Sequence, residues 1–253
     1  MKENEYQLGL VSVSFRQHDP KEILEAVRAA GLSCIEWGSD IHAPCRDVAR
    51  LSKIAALQKE YGISCSSYGT YFRLGETPID ELEDYITAAK CLGTNILRLW
   101  CGKKSGADMT DEEKCALVEI CRQAATIAAR HGVCLCMECH IKTLTERPED
   151  ALWLMQQVDS SHFQMYWQPN QYRTVEENCR SAKMLAPYTK VIHVFHWREK
   201  NKYPLADAVE EWADYLSFFN GTQALLLEFM PNGTLEELAR EADALRTMIG
   251  ERI

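Results

Sequence analysis

Short apolar runs alternate with helix-periodic segments along the whole chain. The runs cover residues 6–13, 33–37, 63–68, 95–100, 133–139, 163–168, 190–195 and 224–229. Each is brief, rich in β-branched, aromatic or small apolar residues and bounded by turn residues, which predicts a strand. Between them apolar side chains recur at i, i+3, i+4 and i+7, as in Ile23, Leu24, Val27 and Ala30, the period of an amphipathic helix. Asp19-Pro20 and Thr77-Pro78 read as capping side chains followed by proline in the first helical position. Thr110 with Glu113 makes a capping box. Gly31, Gly62, Gly93 and Gly132 each follow a helical run, where a left-handed residue ends the helix.

The count reaches eight strand–helix pairs, and 253 residues is the size of a (β/α)8 TIM barrel in the α/β class. A doubly wound sheet more often has fewer strands and a glycine-rich first turn, and no GxGxxG is present. With no low-complexity linker and no shift in composition, residues 1–253 are expected to form a single domain. Barrel closure turns strand alternation into a map, because active sites lie at the strands' C-terminal ends. Cys134, Cys136, Glu138 and His140 share one face, which puts Glu138 at the mouth and His140 just above it. The same spacing sends Ala224 and Leu226 inward and brings Glu228 to the mouth.

Composition narrows the function classes. Hydrophobic residues at 46% and charged residues at 26% are ordinary for a globular chain. The formal net charge of −9 disfavours sequence-independent nucleic-acid binding. No apolar run approaches the roughly 20 residues of a membrane helix, and the N-terminal segment MKENEYQLGLVSVSF lacks a signal-peptide pattern. Eleven cysteines, an odd number, do not suit a secreted disulfide framework. A reduced, cytoplasmic protein is expected, without nucleic-acid or membrane partners; a homo-oligomer is compatible with all of this.

A carboxylate ending an apolar strand is costly unless paired, hydrogen-bonded or metal-bound. Glu138 and Glu228 both fit that description; the competing explanation is a salt bridge to an arginine such as Arg98. KVIHVFHW supplies His193 and His196, which face opposite ways on a regular strand. His193 lies nearer the apolar segment and is favoured as ligand, with His196 as a substrate contact or a packed histidine. Two glutamates and an imidazole make a mixed oxygen/nitrogen set suited to Mn, Zn or Co, with Mg also compatible. A fourth ligand from the sixth strand would be Gln168, through its amide oxygen; plain hydrogen bonding in the pocket is the alternative. Trp37, Trp100, Trp167 and Trp197 recur at strand ends, where aromatic rings suit sugar C–H faces, though for any one of them core packing is the better account. His42, Tyr71, Phe72 and Arg73 join that rim if the register holds.

At these residues the sequence resembles the xylose isomerase-like TIM barrel superfamily of sugar-phosphate isomerases and epimerases. The likeness is carried by CIEWGSDIHAP, GISCSSYGTYFRLG, GVCLCMECHIKTLTERPEDA, KVIHVFHW and LLLEF. It implies one divalent metal held by Glu138, Gln168, His193 and Glu228, the two glutamates doubling as acid/base groups, with His42, His140 and Gln171 near the substrate. The family's Asp-x-x-His on the sixth strand stands here as Gln168-Pro169-Asn170-Gln171. The implied activity is isomerisation or epimerisation of a small sugar, phosphorylated or not, through an enediolate. Rival readings are a non-catalytic sugar-binding barrel, in which the two glutamines record lost chemistry, a polyol-ketone dehydratase, and an abasic-site endonuclease. The last needs more ligands and a basic groove.

Overall fold

The computed structural model describes residues 6–250; the first five residues, part of the segment read for targeting, lie outside it. Eight parallel strands close into a barrel: β1 (Gln7–Val11), β2 (Cys34–Gly38), β3 (Ser64–Leu74), β4 (Ile96–Cys101), β5 (Cys134–Glu138), β6 (Phe163–Trp167), β7 (Thr189–Val194) and, after a two-stranded hairpin of β8 (Trp197–Arg198) and β9 (Asn201–Lys202), β10 (Ala224–Leu227). The ring runs β1-β10-β7-β6-β5-β4-β3-β2. Eight helices cover it: α1 (Pro20–Ala29), α2 (Val48–Tyr61), α3 (Leu82–Leu92), α4 (Asp111–His131), α5 (Pro148–Val158), α6 (Val175–Leu185), α7 (Val209–Leu216) and α8 (Leu238–Met248). The chain is a (β/α)8 TIM barrel.

Alternation along the strands divides the core in two. Val11, Cys34, Cys136, Tyr166, Val191, Ala224 and Leu226 fill the barrel interior, while the intervening residues, such as Ile35, Leu135, Ile192 and Leu225, pack outward against the helices. Gly9 lets β1 approach β2: a Cβ there would collide with the backbone and thiol of Cys34. Asp19 and Thr110 cap α1 and α4 through reciprocal capping boxes. Gly31, Gly62, Gly93 and Gly132 all take left-handed conformations after their helices, as their positions predict.

Two local expectations change. Thr77-Pro78 does not start an α-helix; it leads into a 3-10 turn over Ile79–Glu81, because the Thr77 hydroxyl turns back to accept from the Arg73 amide at 3.1 Å. Strand β3 runs six residues past the predicted Tyr68, pairing with β4 through a register shift between Gly69 and Arg73. All eleven cysteines are free thiols. Among the described residues no helix is long and apolar enough to cross a membrane.

Candidate active site

Four strands deliver polar side chains to one place at the barrel mouth. Glu138 ends β5, His193 is the penultimate residue of β7, and Gln168 and Glu228 directly follow β6 and β10. One donor atom from each of Glu138, His193 and Glu228 lies within 4.8 Å of the others. The hub is His193 Nδ1, which stands 3.2 Å from Gln168 Oε1, 3.4 Å from Glu228 Oε2 and 3.8 Å from Glu138 Oε1. The second oxygen of Glu138, Oε2, accepts hydrogen bonds from Arg98 Nη1 and Trp100 Nε1. The arginine bridge that competes with the metal reading therefore exists, but it occupies one carboxylate oxygen and leaves the other facing His193.

Beneath this layer lies a group that the sequence reading does not single out. Glu36, on β2, is fully buried. Its Oε1 faces Arg98 Nε at 3.3 Å and its Oε2 faces His193 Nε2 at 3.5 Å. The alternation of Cys34, Glu36 and Gly38 along β2 is a signal that places Glu36 inside the barrel.

Charge inside the cluster is unbalanced in a telling way. Burial pushes Glu36 upward, but Arg98 and His193 outweigh it and hold the carboxyl at about 2. Glu138 is likewise lowered, with Arg98 and His193 overcoming its burial. Burial works against a charged His193, yet Glu228 and Glu36 raise it to about 10. Glu36, Glu138 and Glu228 against one guanidinium leave two negative charges when the imidazole is neutral, the charge of one divalent cation.

A metal with ligand bonds of about 2.0–2.2 Å separates neighbouring ligand atoms by roughly 3–3.5 Å. The spacing around His193 Nδ1 fits that requirement, with Glu138 Oε1 needing to close by a few tenths of an ångström. Two carboxylates, an imidazole and an amide oxygen suit Mg, Mn, Zn or Co. The residues therefore fit the single divalent ion that the family resemblance implies.

Above the cluster opens a cavity of about 360 Å³, within the usual range for a small-molecule pocket. Tyr71, His140, Gln171 and Trp197, all expected near substrate, line it together with Trp100, Gln168, Glu138 and Glu228. Aromatic side chains meet across its walls: Trp100 packs on Tyr71 and His140 at 5.3 and 4.8 Å, and Trp197 packs on Phe195 and Phe229 at 4.9 and 5.3 Å. Arg73 stacks over Trp100 at 4.6 Å.

Other residues expected at the rim or near substrate lie elsewhere. Trp37 occupies an outward position of β2 and is fully buried against α2, donating to Gln58 Oε1 at 2.8 Å. Trp167 does the same on β6, reaching Ser181 Oγ at 3.2 Å. His42 is fully buried and satisfied at both ring nitrogens, by Ser12 Oγ at 3.1 Å and the His18 carbonyl at 3.2 Å; burial lowers its pKa. His196 turns away from the cavity, its Nδ1 held by the Pro204 carbonyl at 3.0 Å and its ring 5.4 Å from Tyr203. An odd spacing of three from His193 reverses its direction, so His193 faces the cluster and His196 does not.

A family model described as xylose isomerase-like TIM barrel matches residues 24–246. Among curated proteins, a 3-dehydroshikimate dehydratase of Bacillus anthracis is 30% identical over 84 residues, which are 33% of this chain and 30% of that protein. The match thus spans under a third of that relative. Among solved structures, the probable 3-DHS dehydratase from Bacillus anthracis has a TM-score of 0.80 at 17% identity, over 94% of this chain and 98% of the other. D-psicose 3-epimerase from Clostridium cellulolyticum has a TM-score of 0.69 at 16% identity, over 96% and 98%. At such identities these likenesses speak for the fold.

Proposed function

Because this chain belongs to the xylose isomerase-like TIM barrel family, we propose that it is a divalent-metal-dependent enzyme that moves a proton next to the carbonyl of a small polyhydroxylated substrate, isomerising or epimerising a sugar through an enediolate. The observation that carries this reading is the convergence of Glu138, His193 and Glu228 within 4.8 Å at the mouth of a cavity. Gln168 joins them as a neutral fourth ligand. When bound, the ion supplies Lewis-acid stabilisation of the negative charge that develops on substrate oxygens.

The chain's own groups do the rest. Glu138 and Glu228 come from strands on different sides of the mouth, so one carboxylate removes the proton α to the carbonyl and the other returns it to the same or the neighbouring carbon. Arg98 and Trp100 orient Glu138 through Oε2, which turns Oε1 towards the cluster. Trp100 and Trp197 cover the C–H faces of the substrate and keep water out.

A second reading, dehydration of a cyclic polyhydroxy ketone, is favoured by the names of the two Bacillus anthracis proteins. It begins with the same proton removal; the β-hydroxyl then leaves as water, its proton coming from an acid such as His140 in the cavity wall. Incubation of Mn²⁺-loaded protein in D₂O with ketoses, their phosphates and 3-dehydroshikimate separates the readings. Deuterium entering recovered sugar supports the isomerase, and loss of water supports the dehydratase. Either activity is expected to fall at least roughly 100-fold in Glu138→Gln and Glu228→Gln. No turnover of any of these compounds, with retained sugar binding, points instead to the non-catalytic barrel.

A further inference from the structure

One buried carboxylate at the site, Glu36, takes part in no step above. Glu36 Oε2 accepts from the Tyr166 hydroxyl at 2.8 Å and from Ser67 Oγ at 3.0 Å, and it faces His193 Nε2 at 3.5 Å. These contacts cross the barrel interior from β2 to β6 and β7. Two register irregularities serve them. Between β2 and β3 the pairing steps from Ile35–Cys65 to Glu36–Ser67, which brings Ser67 alongside Glu36. Between β6 and β7 it steps from Met165–Thr189 to Tyr166–Val191. Bulges of this kind re-aim side chains next to functional sites. Gly69 completes the arrangement, since a Cβ there would strike Glu36 Oε1.

We propose that Glu36 is the positioning residue of the metal centre, fixing His193 in the tautomer that carries its proton on Nε2 and so presents the Nδ1 lone pair to the ion. This inference rests on the metal-centre reading above. The tautomer matters because all three oxygens that would share the ion stand around Nδ1. A proton on Nδ1 would point into the ion's position and block the site. With Nδ1 committed to the ion, the proton that a neutral imidazole keeps lies on Nε2, where the acceptor in reach is the Glu36 carboxylate at 3.5 Å. Tyr166 and Ser67 hold the acceptor still, and Arg98 Nε faces its other oxygen at 3.3 Å. Groups that orient a metal-bound imidazole in this way typically change metal affinity 10–100-fold when removed.

The test uses Zn²⁺, which is diamagnetic, with the full chain labelled in its histidine nitrogens. In wild type, long-range proton–nitrogen correlation of the Zn²⁺-loaded protein is expected to show His193 protonated at Nε2 and metal-bound at Nδ1. Glu36→Gln, similar in volume but unable to accept as strongly, should bind Zn²⁺ roughly 10–100-fold more weakly by chelator competition and lose the single tautomer signature. The double variant Ser67→Ala/Tyr166→Phe keeps every charge and loosens only the carboxylate; it should lose a smaller factor and carries the test if Glu36→Gln does not fold. A folded variant that binds Zn²⁺ within twofold of wild type, with His193 unchanged, overturns the role of Glu36 and leaves the metal centre standing. Wild type that binds no Zn²⁺ overturns both.

Discussion

Arg98 is the residue on which the buried charges balance. It lies on the interior face of β4, 4% exposed, and one guanidinium serves Glu36 through Nε and Glu138 through Nη1. Removing one partner of a buried ion pair leaves an uncompensated charge, which costs about 3–5 kcal/mol. Arg98→Ala is therefore expected to lose stability of that size in urea titrations of the metal-free protein. A loss below about 1 kcal/mol would mean that the two glutamates are not ionised together in the folded state. Arg98 is visible in the sequence only as a partner for some carboxylate; that it serves two at once depends on barrel closure. Glu36 escapes for the same reason. CIEWG carries one charge in an otherwise apolar strand, and that anomaly is the local trace of a network whose other members lie 31 to 157 residues away.

Elements were legible where their signals are local. All eight barrel strands fall where apolar runs predict them, and the reciprocal caps of α1 and α4 follow from side chains three residues apart. The extension of β3 is hidden by Gly69-Thr70, which interrupts the strand pattern although the pairing resumes beyond it. Contacts between elements are less legible still, and Glu241 illustrates this. From α8 it accepts the backbone amide of Leu205 at 3.1 Å, tying α8 to the turn before α7. Burial raises its carboxyl to about 7, against the opposing effect of that hydrogen bond. A carboxyl raised in the folded state binds more protons than in the unfolded chain, so its contribution is most favourable below about pH 4.5 and is lost as pH rises towards 7. Glu241→Gln keeps an acceptor for Leu205 and removes the charge. With solvent screening allowed for, it should stabilise the protein by on the order of 1 kcal/mol at pH 8 and change little at pH 4.5. Thermal unfolding at the two pH values checks this; equal shifts at both would show that the carboxyl is not perturbed.

At the scale of the molecule, ring closure is what converts scattered residues into a site. Glu138 and Glu228 are brought together because β5 and β10 belong to one closed sheet, and the same closure lets Glu36 meet His193 through the interior. The side chains that converge at the mouth were readable from strand ends and family likeness, whereas the rim was only half readable: Tyr71, Trp100, His140 and Trp197 line the cavity, while Trp37 and Trp167 turn outward into the core. Alternation discriminates between them once strand limits are known to a single residue, which periodicity does not supply. The formal charge of −9 includes the three carboxylates sealed around one imidazole and one guanidinium, an arrangement that asks for a cation. Calorimetric titration of Mn²⁺ into the metal-free protein and into Glu228→Gln tests that demand most directly. One ion per chain, held roughly two orders of magnitude more weakly in the variant, is the result expected; no binding, or binding that the substitution leaves untouched, would contradict it.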